Sequence, residues 1–334
     1  MMLGRLTEEE HHGQNGGERK VEAEKLFTRK PFSREADRLT VHEKNGVVWL
    51  SFPLLDQFDF VINAFSTRIG GVSGGFCSSM NLSLSREMSA GLGQAGLVTD
   101  LPEEEAWRRG GSYGPMGRFL ENHRRFADAV GYDPENLVFS DQTHTDHILE
   151  VTEKDRGNGY CRPNSFHDVD GLMTDRKGVA MMTFYADCVP LYLVDPERKA
   201  AALVHSGWRG TIAGIGTKAA LLMKERYGSD PADIFAAIGP SICQDCYEVS
   251  SDVADRFLGK YGKTGDGSIV KPGREGHAWL DLQEACRQNF LMAGLLPEHI
   301  SAADICTAEN SSALFSHRAL KGKRGNLAAV LQLK

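Results

Sequence analysis

Residues 183–210 read TFYADCVPLYLVDPERKAAALVHSGWRG and carry the pattern of a β-hairpin. Two short apolar runs, 190–195 and 200–205, flank Pro196, Glu197, Arg198 and Lys199, which supply turn chemistry. Counted from a turn centre midway between 196 and 197, Cys188 and His205 fall opposite each other at the open end. Opposed side chains stand with Cβ atoms about 4.5–5.5 Å apart. That separation suits two ligands of one metal, or a thiol and its base. His205 runs into Ser206-Gly207-Trp208-Arg209-Gly210 and then a helix, whose N-terminus is a natural place for an anion.

The chain around the hairpin has 334 residues, 41% of them hydrophobic and 25% charged, as in an ordinary globular protein. Its net charge of −7 argues against nucleic acid or an anionic membrane as partner. No apolar run approaches the roughly 18 residues of a membrane span. The N-terminus is too polar for a signal peptide. Seven cysteines, an odd number, argue against a disulfide framework and for a reducing, cytoplasmic location.

Upstream, residues 1–38 lack apolar periodicity and read as a disordered polar tail. Strands are expected at 46–52 and 60–65. The second runs into Phe65-Ser66-Thr67-Arg68 and a loop with four glycines at 70–75, either an anion cradle or a plain flexible loop. Residues 85–117 are glycine-rich and read as a surface excursion. A helix spans 119–130 and stops at Gly131. A strand at 137–140 leads to Gln142 and His144, with His147 three positions on, before an extended 148–151. His144 is either a hydrogen-bonded structural residue or a metal ligand. A second polar excursion covers 153–168, and strands at 169–174 and 178–183 lead into the hairpin.

Downstream, Thr211 is placed to cap a helix ending at Gly228. Gly214-Ile215-Gly216 matches a dinucleotide fingerprint but lies nine residues past His205, inside the helix pattern, so the match is chance. A strand at 233–238 precedes Cys243 and Cys246. A structural zinc site would need a further pair of ligands at matching spacing, and none is visible, so this C-x-x-C reads as a turn. Asp281 caps a helix through Ala293, and strands follow at 302–306 and 326–333.

Several of these stretches occur in the order found in the YfiH family, the laccase-domain or multicopper-polyphenol-oxidase type. They include Phe65-Ser-Thr-Arg68, Gln142-Thr-His144, Asp170-Gly-Leu-Met-Thr, Ala186-Asp187-Cys188-Val-Pro, His205-Ser-Gly-Trp-Arg209-Gly, Ile238-Gly-Pro-Ser-Ile, Cys246-Tyr-Glu-Val, Cys306-Thr and Phe315-Ser-His-Arg318. The chain resembles that family over roughly 45–334, with 85–117 and 153–168 standing as insertions. The resemblance implies an α+β fold: one catalytic domain, 39–334, of two stacked mixed sheets flanked by helices in four layers. It also implies a zinc held by His144, Cys188 and His205, which would also be the catalytic residues. The activity it implies is phosphorolysis of adenosine, inosine and methylthioadenosine, with adenosine deamination, so the partners are purine nucleosides and phosphate. Arg68, Gln142, Asp187, Arg209 and Arg318 are the candidate substrate- and phosphate-binding residues.

The chemistry agrees in part. One thiolate and two imidazoles suit zinc better than copper and leave a fourth position open. The 11 histidines include no His-x-His pair, so a multicopper cluster is hard to build. Two further readings stay open. In one, Cys188 is a nucleophile with His205 as base, in an amidohydrolase editing peptidoglycan precursors. In the other, the metal only braces an interaction module.

Overall fold

A computed structural model describes residues 24–29, 38–91, 114–262 and 268–334. In chain order, β1 (Thr40–Lys44), β2 (Val47–Ser51), the one-turn α1 (Pro53–Asp56) and β3 (Val61–Ser66) come first. Next are α2 (Leu84–Gly91), α3 (Pro115–Val130), β4 (Leu137–Phe139), β5 (Ile148–Glu150), β6 (Gly171–Thr174) and β7 (Ala180–Tyr185). The hairpin is β8 (Val189–Asp195) and β9 (Ala200–Ser206), followed by α4 (Trp208–Ala213) and α5 (Ile215–Tyr227). The rest comprises β10 (Phe235–Ile238), β11 (Glu248–Ser250), α6 (Ser251–Tyr261), β12 (Val270–Pro272), β13 (His277–Leu280), α7 (Leu282–Ala293), β14 (Ile300–Ala302) and β15 (Leu327–Leu333).

Two six-stranded sheets form, in the orders β1-β2-β3-β15-β7-β4 and β14-β10-β8-β9-β6-β5. Both are mixed: β4 joins β7, β10 joins β14 and β5 joins β6 in parallel, and the other pairs are antiparallel. Side chains alternate across each strand, and the alternation sorts them into three separate cores. Tyr192 and Val194 of β8, Leu203 of β9, Met181 of β7 and Leu331 of β15 meet between the sheets. Leu191, Leu193 and Val204 face the other way, onto Ile215, Met223, Phe257 and Phe290 of the helices. Met182 and Val330 point outward onto Phe119 and Phe126 of α3. Three cores separate four layers, the α+β architecture expected. Phenols buried between the sheets find partners across the gap: Tyr192 donates to Ala64 O at 2.9 Å and Tyr185 to Val204 O at 3.2 Å.

The hairpin forms, with a register that differs from expectation. Asp195 pairs with Ala200 and Pro190 with His205, so Cys188 projects opposite Gly207 and lies diagonal to His205. Residues 196–199 form the turn as read, closed by Asp195 Oδ1, which accepts from the amides of Glu197 and Arg198, and by Lys199 at φ 52°. That turn is centred between 197 and 198, one position later than the centre used to set Cys188 opposite His205. Positions 188 and 205 still share a face, because a shift of two preserves the pleat.

Other boundaries move. The helix expected from 119 begins at Pro115 and ends on Gly131 in the left-handed region, φ 96°. Thr211 caps nothing: it lies inside α4, donating to Gly207 O. Gly214, φ 83°, breaks the expected single helix into α4 and α5, and the glycine fingerprint sits at that helix junction, away from any strand-to-helix turn. The strand expected at 302–306 forms earlier, as β14, and Cys306 bridges Ser241. Part of the expected tail is bound to the domain. Phe27 is buried in the core between the sheets, and Arg29 pairs with Asp304 at 2.6 Å. The remainder of that stretch, 1–23 and 30–37, lies outside the described residues, as does 92–113 of the first excursion.

Candidate metal and nucleoside site

β7 ends at Tyr185, and two residues later Asp187 turns the chain with φ 89° before β8 begins. Few residues other than glycine accept a positive φ; aspartate is among those that do. Its carboxylate is buried, accepting from Thr307 Oγ1 at 2.7 Å and from the Arg318 amide at 2.7 Å, while its carbonyl accepts from the Ile242 amide. This clamp presents Cys188 at the sheet end. His144 arrives from the β4–β5 connection, also left-handed at φ 67°, and its Nε2 lies 3.8 Å from Cys188 Sγ. His205 comes from the end of β9, buried. One ligand atom from each of the three lies within 4.8 Å of the others. Gly207 lets the backbone pass: a Cβ there would meet His144 Cδ2 at 2.7 Å and Cys188 Sγ at 3.4 Å.

The trio is held by a residue to which the sequence reading gave no role. Asp170, fully buried, accepts from the amides of Thr143, His144 and Thr145, from Thr145 Oγ1, and from His205 Nδ1 at 2.7 Å. One carboxylate thus shapes the His144 loop and, by taking Nδ1, leaves His205 Nε2 for Cys188, as a carboxylate orients ligating histidines. The register shows why it reaches: β6 pairs with β9 as Gly171↔Val204, so Asp170 faces His205. Burial disfavours the Asp170 carboxylate, but the bonds from His205 and Thr145 outweigh it, and its pKa is lowered. Burial also opposes ionisation of Cys188; His205 and His144 outweigh it and bring the thiol down to about 6. His205 moves the other way, up to about 9, as Cys188 and then Asp170 overcome its burial. The two shifts oppose each other because each group favours the other's charged form, and a cation would compete with the His205 proton for one place. The donor set of one thiolate and two imidazoles fits a borderline-soft cation.

The candidate binding residues divide. Gln142 is spent on the backbone, its amide bonding Phe184 N at 2.7 Å and Phe184 O at 2.8 Å. Arg68 donates to Ser78 O and Ser311 O at 2.8 Å each and covers the Phe315 ring, so it acts as a strut. The glycine loop is no cradle. A Cβ on Gly70 or Gly71 would strike the backbone of Gly46 or Ser79, and the amides of Gly71, Val72 and Ser73 bond Ser79 Oγ, Asn122 Oδ1 and Ser79 O. Its glycines serve close packing. Arg209 is exposed and stacks over Trp208. Arg318 lies over Tyr247 and donates to Glu248 O at 3.0 Å.

Beside the trio lies a basic group that sequence reasoning missed. Arg324 is half-buried, and its Nε is buried without a hydrogen-bond partner. Burial, and then repulsion from Arg86, lower it to about 10, while Asp187 and Cys188 pull it back. Burial first, and then Arg324, Arg86 and Arg318, lower the pKa of His317 against a pull from Asp187. Tyr247 also feels Cys188, Arg318 and Arg209; burial first and Cys188 next raise it to about 12, so its phenol keeps its proton. Arg324, which feels Asp187 and Cys188 and has one buried guanidinium nitrogen without a hydrogen-bond partner, and Arg318, whose amide bonds Asp187, are the candidate anion ligands.

A sequence model of the family described as multi-copper polyphenol oxidoreductase laccase matches residues 117–334. The chain belongs to this family. Over 221 residues, 64% of this chain and 77% of the relative, it is 35% identical to the purine nucleoside phosphorylase YlmD of Bacillus subtilis. It is 33% identical over 204 residues, 61% of this chain and 77% of the relative, to the adenosine deaminase RL5 of an unknown prokaryotic organism. The crystal structure of the Bacillus licheniformis hypothetical protein YfiH superposes with a TM-score of 0.71 at 31% identity, over 88% of this chain and 99% of that one. For a laccase-type chain the histidine supply is small: among the described residues, one potential metal cluster contains histidine, and it contains two. No described helix is long and apolar enough to cross a membrane.

Proposed function

We propose that the protein is a zinc-dependent purine nucleoside phosphorylase that also deaminates adenosine, with His144, Cys188 and His205 as zinc ligands. The observation that carries the reading is the gathering of that trio's ligand atoms within 4.8 Å, on an Asp187 turn that also takes the Arg318 amide and is felt by Arg324. The names of the relatives point the same way. When bound, zinc would supply Lewis acidity at the pocket. The chain's own groups do the rest. Arg324 and Arg318 hold the phosphate dianion by charge-assisted bonds. Tyr247 offers a phenolic proton for a hydrogen bond to the nucleoside. In phosphorolysis a phosphate oxygen forms the bond to ribose C1′ as the C1′–N9 bond breaks, and the departing purine takes up a proton. In deamination water adds at C6 and ammonia leaves, giving inosine. The preorganised guanidinium charges lower the cost of bringing phosphate beside the sugar.

A second reading has its own support: Cys188, His205 and Asp170 stand in the order of nucleophile, base and orienting carboxylate. One experiment separates the two. Adenine release from adenosine should require phosphate, and Arg324→Gln should raise the phosphate KM about tenfold or more while leaving phosphate-independent deamination near its parent rate. Adenine release at one rate with and without phosphate would sink the phosphorylase reading.

A further inference from the structure

The C-x-x-C does not stand alone. Cys243 closes the segment after β10, and a 3-10 turn, Gln244–Cys246, carries Cys246 back beside it. Cys306 comes from the segment after β14. Because β10 and β14 run parallel, Ile238 beside Ala302, both chains leave the sheet at one edge and stay together: Ser241 bridges Cys306, and the Thr307 amide donates to Ser241 O at 3.0 Å. The Cys243 amide points at Cys306 Sγ, 3.3 Å away. All three sulfurs lie within 4.8 Å of one another, and none is in a disulfide.

We propose that Cys243, Cys246 and Cys306 form a second metal site, for a thiophilic cation of the zinc or copper(I) class. Three thiolates at about 2.3 Å from one zinc stand roughly 3.8 Å apart, within the spread seen here. Thiolate sulfur selects this class of ion over magnesium or calcium. Cys243 and Cys306 are buried, while Cys246 is partly exposed and gives the ion a way in. Glu309 stands on that side, its Oε1 3.7 Å from Cys246 Sγ, positioned to approach the fourth coordination place. Arg318 donates to Cys246 O and to Glu248 O, setting a cation next to the negative charge that three thiolates bring. Binding releases three S–H protons to solvent, and no electrons move. The ion would rivet segment 241–247 to segment 306–310. Those segments supply the Ile242 amide and the Thr307 hydroxyl that clamp Asp187 beside Cys188. The proposal does not depend on what the first site binds or catalyses.

The test uses the full chain, reduced with a phosphine under nitrogen, with seven free thiols verified in denaturant, then loaded with zinc and desalted. Cys188→Ala should retain about one zinc per chain, and Cys188→Ala combined with Cys246→Ser should lose it. Cobalt(II) loaded into Cys188→Ala should show strong thiolate-to-cobalt charge transfer, which nitrogen and oxygen ligands do not give. Zinc should also protect Cys246 of the parent from iodoacetamide, a readout that needs no variant to fold. If Cys188→Ala holds no zinc, if its cobalt spectrum lacks thiolate charge transfer, or if zinc leaves Cys246 alkylation unchanged, the site does not exist. A zinc that survives the added Cys246→Ser change is held elsewhere and overturns the proposal as well.

Discussion

At the scale of the residue, Asp170 decides more than any ligand does. Its two oxygens take five hydrogen bonds, from three amides, one hydroxyl and one imidazole. Asp170→Asn replaces one acceptor oxygen by a donor and leaves a neighbouring N–H without a partner. His144 and His205 then lose their common support, so zinc affinity at the first site should fall about 10- to 100-fold. Competition against a fluorescent chelator measures it, and an unchanged affinity would remove Asp170 from the account. The candidate ligands were legible in the sequence because cysteine and histidine declare their chemistry by type. Asp170 was legible only as part of a motif, since its role depends on facing His205 across β6 and β9. Arg324 was hidden by its setting: Lys321-Gly322-Lys323-Arg324-Gly325 reads as solvated surface. Arg68 misled for the opposite reason, because an arginine that binds carbonyls and one that binds phosphate look alike in a sequence.

At the scale of the element, most long periodic segments and several short strands were read, and one long helix was not. The hairpin strands, the helix 115–130 and β15 each present enough alternation or helical period to be recognised. The sheet of β11, β13 and β12 was missed, because strands of three or four residues carry little period and Pro272 stands at the end of edge strand β12. Helix α6 was missed although Ala254, Phe257 and Tyr261 share its buried face. The turn 196–199 was read as it forms, but it is centred between 197 and 198 and not between 196 and 197, so the pairing of Cys188 with His205 was off by two. Helix α3 yields a prediction about acid. His123 is fully buried on it, packed against the rings of Phe119 and Phe139, with Nε2 paired to Leu82 O at 3.0 Å and Nδ1 unpartnered. Burial lowers its pKa to about 3, and the bond to Leu82 restores only part. The unfolded chain takes up this proton near pH 6.5 and the folded chain does not, so the stability it supports is present above pH 6.5. It is lost as pH falls toward 3, at about 1.4 kcal/mol per unit. Urea unfolding between pH 6 and 4 should therefore be less steeply pH-dependent in His123→Gln than in the parent. Parallel curves would mean that His123 already carries a proton in the fold.

At the scale of the whole molecule, the four layers follow from three cores that never mix. Composition and period had no access to that arrangement; only the family resemblance implied it. Strand alternation says which residues share a face, but not what covers the face. The same blindness affected the N-terminal stretch, where polar composition read as a free tail. Within it Phe27 enters the core between the sheets, Thr28 exchanges two backbone bonds with the Asn310 side chain, and Arg29 forms an ion pair with Asp304 that is largely shielded from solvent. Thr28 and Arg29 brace 304–310, the segment whose Thr307 holds Asp187 next to Cys188. Removing residues 1–38 should therefore act at two distances. Exposing the Phe27 pocket and leaving Asp304 unpaired should cost about 2–3 kcal/mol after the ordering entropy of the segment is set against it. In a domain of this size that lowers Tm by about 5 °C. Loosening 304–310 should also reduce kcat/KM for adenosine, since a small displacement of the Asp187 turn misplaces Cys188. Removing residues 1–23 alone should change neither quantity, which makes the two truncations controls for each other. Thermal melts and adenosine kinetics on both proteins check this, and identical behaviour of the two truncations would show that the contacts of residues 24–29 contribute nothing to stability or to the site.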